Sequence, residues 1–315
     1  MVASTTSPRS QSEPLYPHYL PVRPEGFTPT LAVPPFDAVE PGLRADPAKP
    51  DILGAKGASV QNMTPRIGTE IRGVQLSALS AAGLDQVALL AAERGVLVFR
   101  DQDFADIGFD RQREIAEHYG PLHKHPTMGH PAATGPEFHV VYADEKVGTL
   151  RTLLGPHTTH TLWHIDQTFT PNVPSTTLFF ALELPSSGSG GDTCFASLTA
   201  AYAALSPTYR ATLHALSLLH TSASPGEVAR LGAERAAREA VRAEHPLVIA
   251  HPVTGAPALF VNPAIARAVV GCLPEESEHL LGWLQRHVAS LDFSCRVRWE
   301  KGTVVVWDQV SGTTG

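Results

Sequence analysis

The sequence predicts a mostly β protein, an antiparallel barrel or sandwich carrying helical inserts. Three observations support this. From Phe138 onward, short β-rich runs alternate with Gly/Pro loops, at residues 139–142, 176–182, 247–250, 258–261, 294–299 and 303–307. Two helical patterns interrupt them, at 199–216 and, after Pro274, at 275–288. The chain also carries 27 prolines and 25 glycines in 315 residues, which suits a loop-rich fold.

Taken in order, residues 1–60 read as a Pro-rich extension, and 61–315 as the folded domain. Ser and Thr crowd the first dozen positions and prolines recur to Pro50 with little apolar periodicity. Residues 64–76 alternate apolar and polar side chains like a short strand pair with glycine at the bend. Ser80 is the expected N-cap of a helix bearing Leu84, Val87, Leu90 and Ala91 at helical spacing, and Gly95 ends it. Val96-Leu97-Val98-Phe99 reads as a buried strand, followed by a helix over 109–119 that stops at Gly120-Pro121. Residues 226–244, rich in Ala, Arg and Glu, read as a mobile helix and a candidate lid. His251 and Asn262 flank a hairpin turning at Thr254-Gly255.

Composition narrows the function. The formal charge is 24 − 31 = −7, which gives no polyanion-binding signature and argues against nucleic acid. No apolar run reaches the roughly 18 residues of a membrane span and no signal peptide opens the chain, so neither a membrane nor an export route is expected. Three widely spaced cysteines, Cys194, Cys272 and Cys295, form neither a disulfide framework nor a zinc ribbon, favouring a cytoplasmic location. No G-x-S-x-G elbow is present for a serine hydrolase. The expected partner is a small anionic molecule, with a homo-oligomer left open.

Histidine is abundant, at 15 residues. The densest cluster is His157, His160, Trp163, His164 and Asp166. In an extended segment, side chains two apart point the same way, so His164 and Asp166 can face one metal ion. An imidazole and a carboxylate, joined by a distant second histidine, make the facial triad of non-haem Fe(II) oxygenases. Alone, H-x-D also suits a histidine hydrogen-bonded to a carboxylate with no ion present.

Several further segments occur in one order: TPRIGTEIRG, FRDQDF, GPLHKHP, WHIDQTF, ELPSSGSGGDTCF, HPVTGAPALFVNP and VRWEKGTVVVWD. Together they resemble the taurine/2,4-D (TauD/TfdA-type) family of Fe(II)- and 2-oxoglutarate-dependent dioxygenases, most nearly the fungal sulfonate dioxygenases. The resemblance implies a double-stranded β-helix, or jelly roll. It also implies Fe(II), 2-oxoglutarate and O₂ as the reacting partners, and hydroxylation of a small anionic organic acid, most simply an alkyl sulfonate that releases sulfite alongside succinate and CO₂. Carried over, it makes His164 and Asp166 metal ligands, Thr193 a donor to 2-oxoglutarate, and His125 and His160 substrate contacts. Met128 stands where the taurine enzyme has a tyrosine, and His160 where it has an asparagine, which argues against taurine itself. Phe260, Trp163 and Trp307 read as core.

The pattern departs at its end. The family continues past WDN-R-V with a metal-binding histidine and a carboxylate-binding arginine. Here the text is Trp307-Asp308-Gln309-Val310-Ser311-Gly312-Thr313-Thr314-Gly315, with the histidine position near Thr313 and no His or Arg beyond Arg298. The third ligand and the arginine anchor are therefore absent, and a jelly roll incomplete at its C-terminal end is expected. The alternatives are a truncated chain, an inactive member retaining only the fold or ligand pocket, or substitution by His157 or His160.

Overall fold

The computed structural model describes residues 14–22, 36–124, 129–142, 163–184, 190–222 and 241–314. It divides into two units: Met1–Thr30 with Lys124–Gly155, and Leu31–His123 with Pro156–Gly315. In chain order the elements are β1 (Pro21–Val22), β2 (Ser59–Asn62), β3 (Thr69–Arg72), α1 (Ala81–Arg94), β4 (Val96–Phe99), α2 (Phe109–Glu117) and β5 (His130–Pro131). There follow β6 (Thr176–Phe180), β7 (Thr193–Ser197), α3 (Leu198–Ala203), α4 (Pro207–His214), β8 (Ser217–Thr221), β9 (Arg242–Pro246), β10 (Val248–Ala250) and β11 (Pro257–Leu259). Last come β12 (Ala266–Val269), α5 (Pro274–Val288), β13 (Ser294–Val297), β14 (Val304–Asp308) and β15 (Gly312–Thr314). The smaller unit contributes the antiparallel pair β1–β5.

The larger unit is built in layers. A five-stranded sheet in the order β2-β3-β4-β14-β6 is antiparallel except at β3–β4. Its central strands are apolar on both faces because both faces are covered. Leu97, Phe99, Val304 and Val306 pack with Leu84, Val87 and Leu90 of α1 and Ile115 of α2. Val96, Val98, Val305 and Trp307 point the other way, onto Phe195, Cys295 and Val297 of a second sheet ordered β13-β7-β15. The far side of that second sheet joins a third cluster with α3, α4, α5, the β10–β11 hairpin and the sheet β12-β8-β9. Trp163 and Phe260 lie in this third cluster, as expected of core residues.

Local signals account for many boundaries. The Ser80 hydroxyl accepts from the Gly83 amide at 3.2 Å and Gly95 closes α1 at φ 74°. β4 spans the four residues expected, whereas the 64–76 segment holds one strand, β3, whose antiparallel partner β2 precedes the segment at Ser59–Asn62. Several expectations are corrected. The 199–216 helix is two helices, because Ser206 caps α4 and Pro207 occupies its first turn. Residues 139–142 form no strand. Arg242–Glu244, assigned to the lid helix, belong to β9, where Glu244 lies opposite Leu219 of β8; residues 226–240 fall outside the described residues. The boundary expected at residue 60 falls inside β2, and the Pro41–Arg44 turn before it packs on α1, with Arg44 paired to Asp85 at 2.7 Å. No described helix is long and apolar enough to cross a membrane.

Candidate active site

The site gathers where the loop after Trp163 meets the end of the chain. His164 forms an antiparallel bridge with Thr314: its amide donates to the Thr314 carbonyl at 2.7 Å and its carbonyl accepts from the Thr314 amide at 2.9 Å. The backbone then turns sharply, with Gln167 at φ 54°, a left-handed conformation uncommon outside glycine. His164 Nε2 stands 3.4 Å from Asp166 Oδ1, both side chains being about one-third exposed. Two ligands occupying neighbouring positions of one divalent ion, with bonds of about 2.1 Å, stand about 3 Å apart. The pair therefore fits a chelated first-row metal.

The third position is occupied differently from the expectation. Thr314, rather than Thr313, lies beside the imidazole, its Oγ1 3.5 Å from His164 Nε2. Thr313 is fully buried and its hydroxyl donates to the His164 carbonyl at 2.6 Å. Counting from Trp307 without a gap thus gives the position that faces His164. A neutral hydroxyl is a poor donor to such an ion, and among the described residues no third His, Cys, Asp or Glu joins the pair. His125, Met128, His157 and His160 lie outside the described residues. His123, two residues before His125, was missed: burial lowers its pKa while the nearby Asp166 carboxylate opposes that shift.

Thr193 opens β7, just after Gly190 and Gly191, which both adopt positive φ (93° and 73°). The strand register carries it toward the His164–Asp166 pair, since Phe195 lies opposite Thr314, and Thr314 opposite His164. The Trp299 indole N–H donates to Thr193 Oγ1 at 3.1 Å. An indole N–H can only donate, so the threonine oxygen accepts and its own proton is left to serve another acceptor.

Beneath the loop lies a polar layer built around Asn262, which the sequence offered only as the flank of a hairpin. Asn262, fully buried, donates through Nδ2 to the Ile165 carbonyl at 2.5 Å and to Thr168 Oγ1 at 2.8 Å. Thr168 Oγ1 is 2.7 Å from Nδ1 of the buried His220, and its hydroxyl can donate a hydrogen bond to that nitrogen. His245 Nε2 reaches the Thr168 carbonyl at 2.9 Å, and Phe260 stacks on His220. Burial, reinforced by His245 and Arg267, pushes the His220 pKa down to about 3.

The opposite wall comes from the end of β14. Asp308 donates its amide to the Gly95 carbonyl at 3.0 Å, and its Oδ1 accepts from the Val310 and Ser311 amides at 2.9 and 2.6 Å. His251, buried and accepting from the Val253 amide, stands 3.1 Å from the same Oδ1. This turn directs β15 back to His164. It also presents Gln309, which is 1% exposed, to Asp166.

A model of the "Taurine catabolism dioxygenase TauD, TfdA family" matches residues 59–311. The chain is 44% identical over 300 residues to an alpha-ketoglutarate-dependent dioxygenase of Penicillium expansum, cnsM, covering 94% of this chain and 82% of that protein. It is 37% identical over 300 residues to the alpha-ketoglutarate-dependent sulfonate dioxygenase of Saccharomyces cerevisiae, covering 93% and 71%. The crystal structure of a taurine dioxygenase from Burkholderia xenovorans superposes with a TM-score of 0.65 at 28% identity, covering 82% of this chain and 81% of that one. The family is enzymatic, using 2-oxoglutarate and O₂ on small molecules, and the structural likeness agrees with the jelly-roll class. A matched span reaching from β2 to the turn before β15 makes the chain a member of the taurine catabolism dioxygenase TauD, TfdA family.

Proposed function

We propose that this chain is an Fe(II)- and 2-oxoglutarate-dependent oxygenase acting on a small alkyl sulfonate. The observation that carries the reading is the 3.4 Å approach of His164 Nε2 to Asp166 Oδ1 at a bridge that also delivers Thr314. His164 and Asp166 would hold the ion, which supplies the redox coupling between O₂ and the decarboxylation of 2-oxoglutarate. One oxygen atom ends in succinate and the other in the hydroxyl placed on the carbon beside the sulfonate. That hydroxysulfonate loses sulfite to leave an aldehyde, so the products are aldehyde, sulfite, succinate and CO₂. The protein's own part is placement and protection of the reacting C–H bond. Thr193 donates its proton to a carboxylate of 2-oxoglutarate, and His125 and His160 meet the anionic substrate.

The test is succinate and sulfite formation across a panel of alkyl sulfonates, with and without Fe(II) and 2-oxoglutarate. Succinate that needs both supports the proposal; none above the iron-free control with any sulfonate sinks it. The Thr314 hydroxyl at the third position favours a second reading, a fold-retaining member without turnover, which predicts that negative result in a chain that still unfolds cooperatively.

The Trp299 contact gives a finer expectation. Trp299→Phe keeps the aromatic edge against Phe179 but removes the N–H that orients Thr193. One neutral hydrogen bond is worth about 1 kcal/mol, so KM for 2-oxoglutarate should rise about fivefold with kcat little changed. An unchanged KM would remove Trp299 from the site's account.

A further inference from the structure

Gln309 entered the sequence reading only as the residue where WDN becomes WDQ. In the structure its side chain meets both the carboxylate and the main chain of Asp166. Nε2 donates to Asp166 Oδ2 at 2.6 Å and to Thr177 Oγ1 at 2.8 Å, while Oε1 accepts from the Asp166 backbone amide at 3.3 Å. Both amide hydrogens and the carbonyl are thus used, and the orientation of the group is settled. Turning the amide over would set its carbonyl against a carboxylate oxygen and its NH₂ against a backbone N–H. The backbone is held as well, since the Gln309 amide donates to the Ser175 carbonyl at 2.9 Å. Thr177 lies on β6, opposite Trp307 of β14, so the clamp stands where β14 pairs with the edge strand of the five-stranded sheet.

We infer that Gln309 is a positioning residue for Asp166. It grips Oδ2 and the main chain, and so fixes the carboxylate with Oδ1 turned toward His164 Nε2. The inference rests on the metal reading given under the proposed function. Its physical content is a division of labour between two oxygens. A carboxylate attached by one freely rotating bond spends much of its time off the direction a metal needs. A charge-assisted donor on one oxygen removes that freedom before the ion arrives. The main-chain contact ties the same glutamine to the turn at Asp166, just before Gln167 adopts positive φ. A glutamine has the reach to touch both the side chain and the backbone of one residue; an asparagine, one methylene shorter, cannot span both from the same backbone position.

The experiment is Mn(II) binding, measured by calorimetry and by the loss of the free-ion electron paramagnetic resonance signal. It is run on the full chain as wild type, Gln309→Leu, Gln309→Asn and Thr177→Val, with the melting temperature of each metal-free protein recorded. Loss of a contact that orients a metal ligand costs about 10- to 100-fold in affinity, so Gln309→Leu should bind Mn(II) that much more weakly. Thr177→Val removes the amide's other partner but leaves the grip on Asp166, and should stay within about twofold of wild type. That contrast separates positioning from general loosening of the sheet, because both variants lose the part-buried hydrogen bond between Gln309 and Thr177. Equal weakening in the two, or wild-type affinity in the leucine variant, overturns the inference. If the leucine variant does not fold, the asparagine variant decides: about three- to tenfold weakening supports the role, and wild-type affinity overturns it. A wild-type chain that takes up no Mn(II) overturns the metal reading together with the inference, whereas wild-type binding with an indifferent Gln309 overturns the inference alone.

Discussion

Replacing His164 by alanine is expected to abolish Fe(II)- and 2-oxoglutarate-dependent succinate formation while leaving the fold in place. The imidazole is one of only two strong donors that the described residues bring to the site. Changing even the outer partner of a metal ligand costs about 10- to 100-fold in affinity or activity, and deleting the ligand itself should exceed the upper end of that range. The fold should survive because the His164–Thr314 bridge is made by main-chain groups, at 2.7 and 2.9 Å, which alanine retains. The side chain is 39% exposed, so its removal opens no sealed cavity. Succinate production and the unfolding midpoint should therefore separate: the first lost, the second shifted by a few degrees at most. Turnover persisting in the variant would remove His164 from the metal assignment.

Stability is expected to fall as the pH drops below 6.5, with His220 as a principal cause. The unfolded histidine titrates near 6.5, whereas burial holds the folded one down near 3. Between those values the unfolded chain binds a proton that the native chain refuses, so stability is fully present above the unfolded pKa and is lost as pH falls. Full linkage of one group lowers the unfolding free energy by about 1.4 kcal/mol per pH unit. The structural reason is that the Thr168 hydroxyl can donate a hydrogen bond to Nδ1, while Nε2 has no hydrogen-bond partner among the described residues. Charging the ring would bury a cation among Phe260, His245 and Arg267. Urea unfolding at pH 7.5 and pH 5 avoids most carboxylate titration. His220→Gln should flatten the slope between those pH values by about 2 kcal/mol, even if the variant starts less stable. An identical slope in both proteins would show that His220 is not the sensing group.

What could be read in advance follows the range of the forces involved. Ser80, Gly95 and the run Val96–Phe99 are legible because a cap, a left-handed terminus and a strand buried on both faces are decided within a few residues. WHID was legible for a related reason: two donors separated by one residue can meet without help from elsewhere. β9 was not legible, since Arg-Ala-Glu-His-Pro has helical composition and becomes a strand only by pairing along β8. Thr314 faces His164 one position beyond the expected Thr313, because the Asp308-capped turn through Val310 and Ser311 sets the register of β15. Gln309 and Asn262 carried no local signal at all. Their partners are 143 and 97 residues away, and an amide is equally at home on a surface loop.

The bridge between His164 and Thr314 also bears on how the protein comes to be folded. Its two sides are separated by 150 residues, and the Gln309 clamp on Asp166 spans 143. Contacts of such sequence separation are closed at the expense of chain entropy and correlate with slow folding. During synthesis, the segment around His164 leaves the ribosome long before the strand that completes it. Until β14 enters between β4 and β6, such a chain has neither a closed five-stranded sheet nor a finished reactive corner. An ion that recognises only the finished corner would then act as a latch on the last event of folding, withdrawing completed molecules from the pool that can still reopen.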